Sequence, residues 1–471
     1  MSGEVVGFSI LLLGVTLIVA KLIRLKFAIF SKFFLPSSII GGLLLLVLGP
    51  EVLGRIVNGT GWFDFGLFTE EIMTIWSTLP GLLINVIFAS LFLGKTIPSL
   101  KNIWMTAGPQ VSFGQSVAWG QYVFGLLVVM VFLVPFFGAN PMSGALIEIA
   151  FEGGHGTAAG LASTFDELGF SEGADLALGL ATVGVVSGVV FGVMLVNWGV
   201  RRQKTNYLKD PSSLEESDLR GIVDVEDRKP EGVLTTSPQS IEPLALHVGM
   251  IGIAILLGKG ILELLIILEN ATWGSEGGVT IFGYVPLFPL AMLGGVLLQL
   301  FLDKFDRFHL VDRAMINRLQ GLALDFLIVS AIATLSLRVI GANIGVFLVL
   351  AATGIAWNIL AFIFLAPRMI PKNWFERGIG DFGQSMGMTA AGLMLIRIVD
   401  SKQDTRALEA FGYKQLLFEP FVGGGIMTAV SVPLIYQFGP LPIMIFSFIV
   451  MAVWLVVGLR YFGRKDASEI K

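Results

Sequence analysis

Long apolar runs follow one another along most of the 471-residue chain, separated by short polar connections. A run of about 20 apolar residues allows one helix to cross the hydrocarbon core of a bilayer. The runs predict eleven such spans, at residues 5–23, 33–50, 76–94, 115–138, 174–199, 244–268, 280–302, 319–338, 343–366, 414–436 and 440–461. No basic segment precedes the first run, so we expect a span there rather than a signal peptide.

Two further stretches, about 144–168 and 378–399, are too rich in glycine for ordinary spans. The first contains Phe151-Glu-Gly-Gly-His-Gly-Thr-Ala-Ala-Gly-Leu161. Each glycine weakens a helix by about 1 kcal/mol relative to alanine. Irregular backbone at membrane depth occurs only where protein buries it or where it lines a cavity. Each stretch is therefore predicted to be a re-entrant hairpin that leads into a half-helix.

Lys and Arg concentrate in every second connection, after the first, third, fifth, seventh, ninth and last predicted spans. Cytoplasmic loops are enriched in these residues, so we expect the N-terminus outside and the C-terminus in the cytoplasm. Residues 203–243 form one long polar segment with four prolines and charges of both signs. This segment is predicted to be a cytoplasmic linker with little fixed structure.

The two halves on either side of this linker resemble each other. Thr157-Ala-Ala-Gly-Leu161 recurs as Thr389-Ala-Ala-Gly-Leu393, and Ala118-Trp119 recurs as Ala356-Trp357, in the same order along the chain. Five spans before the linker would insert the second copy upside down. Inverted repeats with paired broken helices are typical of secondary transporters. We therefore expect a first repeat at 1–202, the linker at 203–243, a second repeat at 244–436, and an additional C-terminal helix with a short tail at 437–471.

Composition narrows the class further. Residues are 55% hydrophobic and 14% charged, and the net charge is −4, as expected for an all-α polytopic membrane protein rather than a nucleic-acid-binding protein. With no cysteine and three histidines, the chain offers no disulfide, no thiolate metal site and no cofactor motif. Neither Gly-rich stretch leads into a phosphate-binding loop. We expect no enzyme activity.

Several motifs resemble those of bacterial sodium/glutamate symporters. They are Gly153-Gly-His-Gly-Thr157, the second stretch Gly380-x-x-Gly383…Gly387-x-Thr389, and Pro36…Gly41-Gly42 in the second span. The resemblance covers nearly the whole chain. It implies two inverted repeats with hairpins entering from opposite faces, a homodimer in the bacterial inner membrane, and Na⁺-coupled uptake of L-glutamate. The chain differs from the family pattern in its longer 51–75 loop, its longer linker and its additional C-terminal span.

A glutamate site must bind two carboxylates and one ammonium group, and a Na⁺ site must supply oxygen ligands. Backbone N–H groups of the hairpins can bind carboxylates, while Thr157 and Thr389 can bind substrate or only cap helices. Three alternatives remain for His155: a hydrogen-bond donor to a substrate carboxylate, a gate residue, or a structural histidine. The candidate substrate-binding residues are Gly153, Gly154, His155, Gly156, Thr157, Gln384, Ser385, Gly387, Thr389, Arg397 and Asp325.

Arg397 is the candidate partner for a side-chain carboxylate, since guanidinium binds carboxylates bidentately, but it can equally extend to the membrane interface. Asp325 can accept the substrate ammonium, bind Na⁺ or pair with Arg318. The candidate Na⁺ ligands are Asn85, Asp325, Asp381 and Ser385. The alternatives that remain are a symporter for a di- or tricarboxylate, a proton-coupled carrier, a passive channel and a membrane sensor.

Overall fold

The computed structural model describes residues 2–27, 30, 35–57, 66–95, 100–205, 226, 228, 232–274, 281–387, 389–400 and 405–463. Over these ranges all regular structure is helical. Ten helices are long and apolar enough to cross a membrane, namely Gly3–Lys26, Ser37–Gly54, Glu70–Ser90, Trp104–Phe137, Gly173–Arg201, Pro243–Ala271, Leu287–Phe305, Arg313–Ala333, Ile344–Met369 and Pro440–Phe462. The chain is therefore an integral, all-helical membrane protein.

Local sequence signals set where several of these helices begin. The side chain of Asp312 accepts a hydrogen bond from the Met315 N–H at 2.8 Å at the start of Arg313–Ala333, and Glu242 caps the helix Pro243–Ala271 in the same way. Such side-chain acceptors satisfy N–H groups that have no partner inside the helix. Most of the linker predicted at 203–243 lies outside the described residues, so its expected lack of order is not described by the structure.

The chain divides into two compact units, and both halves of the sequence contribute to each. Unit 1 comprises residues 1–97, 159–164 and 217–338, which contain the first three spans of each half. Unit 2 comprises residues 98–158, 165–216 and 339–471, which contain the second Gly-rich hairpin, the first one apart from residues 159–164, and the C-terminal span. The linear division into repeats and linker stays a prediction, because these units group residues by contact rather than by repeat.

Unit 1 has a reciprocal packing pattern. A Cβ at Gly42, in the second span, would lie 2.6 Å from Ile332 Cβ in the third span of the other half. A Cβ at Gly295, in the second span of that half, would lie 2.4 Å from the carbonyl oxygen of Ala89 in the first half's third span. Small residues let membrane helices approach this closely. The core of the unit includes Trp76, whose indole N–H donates to the Ser9 carbonyl at 3.1 Å.

Unit 2 is built around the long span Trp104–Phe137, whose Val117 carbonyl accepts a hydrogen bond from the Trp357 indole at 2.9 Å. Both Gly-rich stretches are broken helices within the chain. The first consists of a 3₁₀ turn, Pro141–Ala145, and the helices Leu146–Phe151, Gly154–Gly160 and Ala162–Glu167. The second consists of Trp374–Gln384 and Thr389–Val399. We call them hairpin 1 and hairpin 2; their re-entrant placement in the membrane stays a prediction.

The predicted span at 414–436 is not one continuous helix. The structure has Ala407–Phe418 and Ile426–Phe438 instead, which are too short to cross a membrane separately. Pro420 has no backbone N–H for a continuing helix. Gly423 and Gly424 adopt φ values of +72° and +100°, which only glycine adopts readily. Hydropathy predicts one span there, while Glu419-Pro420 before Gly423-Gly-Gly425 predicts an unwound place within it, and the structure confirms this break. We call this pair of helices the broken span.

Candidate functional site

Three helix breaks meet in unit 2. Hairpin 1 breaks at 152–153, hairpin 2 at 385–387, and the broken span at 419–425. Gly154 in hairpin 1 has φ +70°, and a Cβ there would lie 2.4 Å from the carbonyl oxygen of Gly387 in hairpin 2. Gly387 itself has φ +128°. The glycines of both motifs therefore permit the two hairpin tips to touch.

Glu148 joins hairpin 1 to the broken span. Its side chain is fully buried. One carboxylate oxygen accepts hydrogen bonds from the Gly423 N–H at 2.9 Å and the Thr428 hydroxyl at 2.8 Å. The other oxygen accepts from the Tyr122 hydroxyl at 2.5 Å. A buried carboxylate requires such hydrogen-bond donors. Through its three donors Glu148 links hairpin 1 to the broken span, and we call Glu148 with Gly423, Thr428 and Tyr122 the clasp.

Lys414 brings a positive charge to the same region. It is fully buried on the helix Ala407–Phe418. Its ammonium nitrogen lies 3.2 Å from Asp381 Oδ1 and donates to Gln384 Oε1 at 2.8 Å. It also lies 3.9 Å from the ring centroid of Phe418, a cation–π contact. Asp381 and Gln384 belong to hairpin 2, so Lys414 ties this hairpin to the broken span.

Among the described residues at this junction, the side chains of Glu152 and Ser385 have neither a hydrogen bond nor an ion pair, whereas Asp381 has its ion pair with Lys414. Glu152 is 5% exposed and Ser385 is 1% exposed. Neither carboxylate oxygen of Glu152, nor the hydroxyl of Ser385, has a hydrogen-bond partner within the part of the chain that is described. The Ser385 hydroxyl approaches the Glu152 carboxylate as a donor but without the geometry of a normal hydrogen bond, and the Lys414 ammonium attracts the same carboxylate. A buried charge without partners carries a large desolvation cost, which marks this point as unusual.

The backbone at the tip of hairpin 2 is held by amide side chains from neighbouring spans. The Ser385 carbonyl accepts from Gln121 Nε2 at 3.1 Å and from Asn358 Nδ2. Gln121 also donates to Asn358 Oδ1 at 3.1 Å. Next to them, Gln384 Nε2 donates to Gln415 Oε1 at 3.2 Å. These bonds fix the tip while they leave the Ser385 hydroxyl unused.

Among the sequence-predicted hairpin residues, His155 and Thr157 make local structural contacts. His155 Nε2 lies 2.9 Å from the Thr182 hydroxyl. Because that hydroxyl donates to the Leu178 carbonyl at 3.0 Å, the imidazole is the donor to Thr182. Thr157 donates to the Gly153 carbonyl at 3.0 Å from inside the helix Gly154–Gly160, so it is not an N-cap. Thr389 begins the helix Thr389–Val399.

The remaining predicted residues fall into three groups. Asp381, Gln384 and Ser385 lie at the junction of the three breaks. Asn85 and Asp325 belong to unit 1, where Asp325 is exposed. The side chain of Arg397 lies outside what the structure describes.

Lys414, Glu148, Tyr122 and Glu152 were not among the predicted site residues. The sequence signal for Lys414 was available, since an ionisable residue within an apolar run is a candidate functional residue in membrane proteins. Lys414 is the first residue of the span predicted at 414–436, and a lysine at the end of a span is ordinary. No sequence pattern joins Tyr122 to Thr428, because they are 306 positions apart along the chain.

Residues Gly383-Gln-Ser-Met-Gly387 have the Gly-x-Ser-x-Gly spacing of a hydrolase nucleophile elbow. That motif requires the serine to stand at a sharp turn between a strand and a helix. Here Ser385 follows the helix Trp374–Gln384, and the described ranges contain no strand. The spacing therefore carries no hydrolase function.

A metal centre of the transition-metal or calcium type is not supported by side-chain clustering. The described residues include no group of three or more His, Cys, Asp or Glu that could hold a metal ion. Carboxylate, hydroxyl and carbonyl oxygens at the junction of the breaks suit a small monovalent cation better than a divalent one, which prefers several carboxylates.

Comparison with known families gives one match. A family model described as sodium/glutamate symporter matches residues 5–402 of the chain. The matched segment includes both hairpins and ends before Lys414 and the broken span. No curated protein matches the chain.

Proposed function

Because the chain belongs to the sodium/glutamate symporter family, we propose that it couples Na⁺ entry to the uptake of L-glutamate by alternating access. The observation that carries this proposal is the buried charged cluster of Lys414, Asp381 and Glu152 where three helices break. Intramembrane ionisable residues mark substrate and ion pathways. Transporters bind their substrates at such interrupted helices. The family membership makes the chain a transporter rather than an enzyme.

The distribution of the spans supports the proposal of inverted repeats. Each half provides its first three spans to unit 1 and its later elements to unit 2. The close approaches at Gly42 and Gly295 are the same contact made once from each half. We infer that the two halves are inverted copies, and that the body carrying the hairpins exposes its site alternately to the two sides.

For the substrate site we propose the two hairpin tips, with Lys414 and Asp381 between them. Glutamate carries opposite charges on its α-carbon, and Lys414 and Asp381 form an ion pair of 3.2 Å. A zwitterion can open this pair, placing its α-carboxylate on the ammonium and its ammonium on the aspartate, without leaving either charge uncompensated. The second substrate carboxylate would then bind the hairpin backbone N–H groups or Arg397.

The cellular arrangement is also a proposal. Lys and Arg in alternate connections support an N-terminus outside the plasma membrane and a cytoplasmic C-terminus. The family resemblance supports a bacterial inner membrane and a homodimer. Na⁺ is the proposed coupling ion, and Asn85, Asp325, Asp381 and Ser385 stay candidate ligands.

The test is uptake of radiolabelled L-glutamate by the full chain in proteoliposomes. An inward Na⁺ gradient should drive concentrative uptake, whereas K⁺ or choline in its place should not. Glutarate, which lacks the amino group, should compete poorly if Asp381 binds the substrate ammonium. Uptake driven by a proton gradient alone would refute Na⁺ coupling. Equal competition by glutarate and L-glutamate would identify a dicarboxylate carrier instead, and downhill flux without coupling would identify a channel.

A further inference from the structure

We propose that the carboxylate of Glu152 and the hydroxyl of Ser385 bind one Na⁺ ion where the first helices of the two hairpins end. The inference rests on the proposed function in that this ion is the coupling ion. It adds Glu152 as the principal ligand, and it places the ion beside Lys414 rather than on Asp381. Three independent features of the described residues lead to it.

The first feature is the position of both side chains at helix C-termini. Leu146–Phe151 ends with Glu152 as its C-cap, and Trp374–Gln384 ends with Ser385 as its C-cap. A helix C-terminus carries partial negative charge on its last carbonyl groups and favours a cation. A carboxylate at such an end is unfavourable by itself. Half-helix C-terminal ends are also where transporters coordinate Na⁺.

The second feature is the contrast between Glu152 and Glu148, one helical turn earlier. All donors that Glu148 needs are present, from Gly423, Thr428 and Tyr122. Glu152 is equally enclosed, yet neither of its oxygens has a hydrogen-bond partner among the residues described. The unbonded hydroxyl of Ser385 lies beside it. The two carboxylate oxygens of Glu152 and the hydroxyl oxygen of Ser385 make no hydrogen bond of normal geometry, and together they form a set of cation ligands.

The third feature is the local charge balance. The ammonium of Lys414 lies against Asp381 and Gln384. Glu152 experiences the attraction of this ammonium together with the repulsion of Glu148 and Asp381. The charge of Glu148 is stabilised by its own three hydrogen-bond donors. Of the other two carboxylates, Asp381 is offset by the Lys414 ammonium, so a single monovalent cation at Glu152 neutralises the remaining charge. A divalent ion would exceed that balance and would lack the carboxylates it prefers.

The test is thermal unfolding of the purified full chain in detergent without glutamate. NaCl replaces choline chloride stepwise at constant ionic strength, so that only the cation changes. The wild-type midpoint should rise with Na⁺ and saturate, because a ligand that binds only the folded state stabilises it. K⁺ should give a smaller rise. Glu152→Gln should lose the Na⁺-dependent rise, and Ser385→Ala should need several-fold more Na⁺ for half of it.

Glu148→Gln is the matched control, since it removes a buried carboxylate from the same helix. It should lower the midpoint in choline and still show a saturable rise with Na⁺, which Glu152→Gln should not. If Glu152→Gln does not fold, Glu152→Asp retains the charge on a shorter side chain and should respond to Na⁺ at a concentration at least several-fold higher.

If the unfolding midpoint of Glu152→Gln rose with Na⁺ as it does in the wild type, the proposed site would be wrong. It would also be wrong if Glu152→Asp and Ser385→Ala both kept the wild-type half-saturating Na⁺ concentration. Absence of any Na⁺ effect on the wild type would overturn it as well. A Na⁺ response that requires Glu152, in a protein that moves no glutamate, would support the site and reject the proposed substrate. Na⁺-driven glutamate uptake that Glu152→Gln leaves unchanged would support the function and reject the site.

Discussion

Replacement of Lys414 by methionine should strongly destabilise the protein, and a second substitution should reverse most of the loss. Lys414→Met keeps a long apolar side chain but removes the ammonium that lies 3.2 Å from Asp381 Oδ1. Asp381 is fully buried, and neither of its oxygens accepts another hydrogen bond from the described residues. Removing one partner of a buried ion pair costs about 3–5 kcal/mol, because the remaining charge is left without compensation.

The same reasoning predicts a cost of about 3 kcal/mol for Asp381→Asn, which leaves the Lys414 ammonium with Gln384 and the Phe418 ring. The double variant contains neither charge. It should therefore lie within about 2 kcal/mol of the wild type, since neutral replacement of a buried pair is often tolerated. The difference between the sum of the single effects and the double effect should be about 3 kcal/mol or more.

The assay is equilibrium unfolding of the full chain in mixed micelles, followed by tryptophan fluorescence. Lys304→Met is the control, because Lys304 is exposed in the last turn of its helix and its loss should change stability by about 0.5 kcal/mol at most. Additive single effects, with the double variant as unstable as their sum, would refute a direct interaction between Lys414 and Asp381.

Two further predictions concern the clasp and the hairpin tips. Tyr122→Phe should lower the free energy of unfolding by about 1–3 kcal/mol because one oxygen of Glu148 loses its donor, and an unchanged free energy in the same unfolding assay would contradict the clasp. Gly154→Ala should be more destabilising than Gly169→Ala. Both glycines have positive φ, so the backbone strain of an alanine is similar at the two positions. A Cβ at 169 meets open space, whereas a Cβ at 154 lies 2.4 Å from the Gly387 carbonyl oxygen. Equal effects of the two substitutions, measured side by side, would show that the tips do not touch.

Much of the helical architecture follows from the apolar pattern, because hydropathy and length decide whether a segment crosses a bilayer. The pattern failed at 414–436, where the residues are apolar enough but Pro420 and the glycines at 423–425 interrupt the hydrogen-bonded ladder. The same glycine chemistry correctly predicted the breaks in both hairpins. Breaks are therefore better predicted from backbone chemistry than from hydropathy.

The candidate site was only partly predictable for a different reason. Glycine motifs predict where a helix ends, but they do not reveal which side chains from other helices arrive there. Lys414 reaches Asp381 across 33 positions, and Glu148 reaches Thr428 across 280. Leu79-Pro-Gly-Leu82 in the first half matches Leu319-Gln-Gly-Leu322 in the second, which makes Asn85 equivalent to Asp325, and both lie in unit 1. Equivalent positions in two repeats indicate shared geometry and do not by themselves identify a binding residue.

The reciprocal packing of unit 1 has a consequence for biosynthesis. Gly42 packs closely against Ile332, and Gly295 packs closely against Ala89. Both contacts join the two halves of the chain, so they cannot form when the ribosome has reached only the linker. About 130 further residues must be synthesised before unit 1 can close, which takes on the order of 10 s at 5–20 residues per second. During that interval the surfaces at Gly42 in the second span and Ala89 in the third span face lipid instead of the second half. Two separately synthesised halves, cut within the linker, are therefore expected to find each other in the membrane, since each half is incomplete without the other.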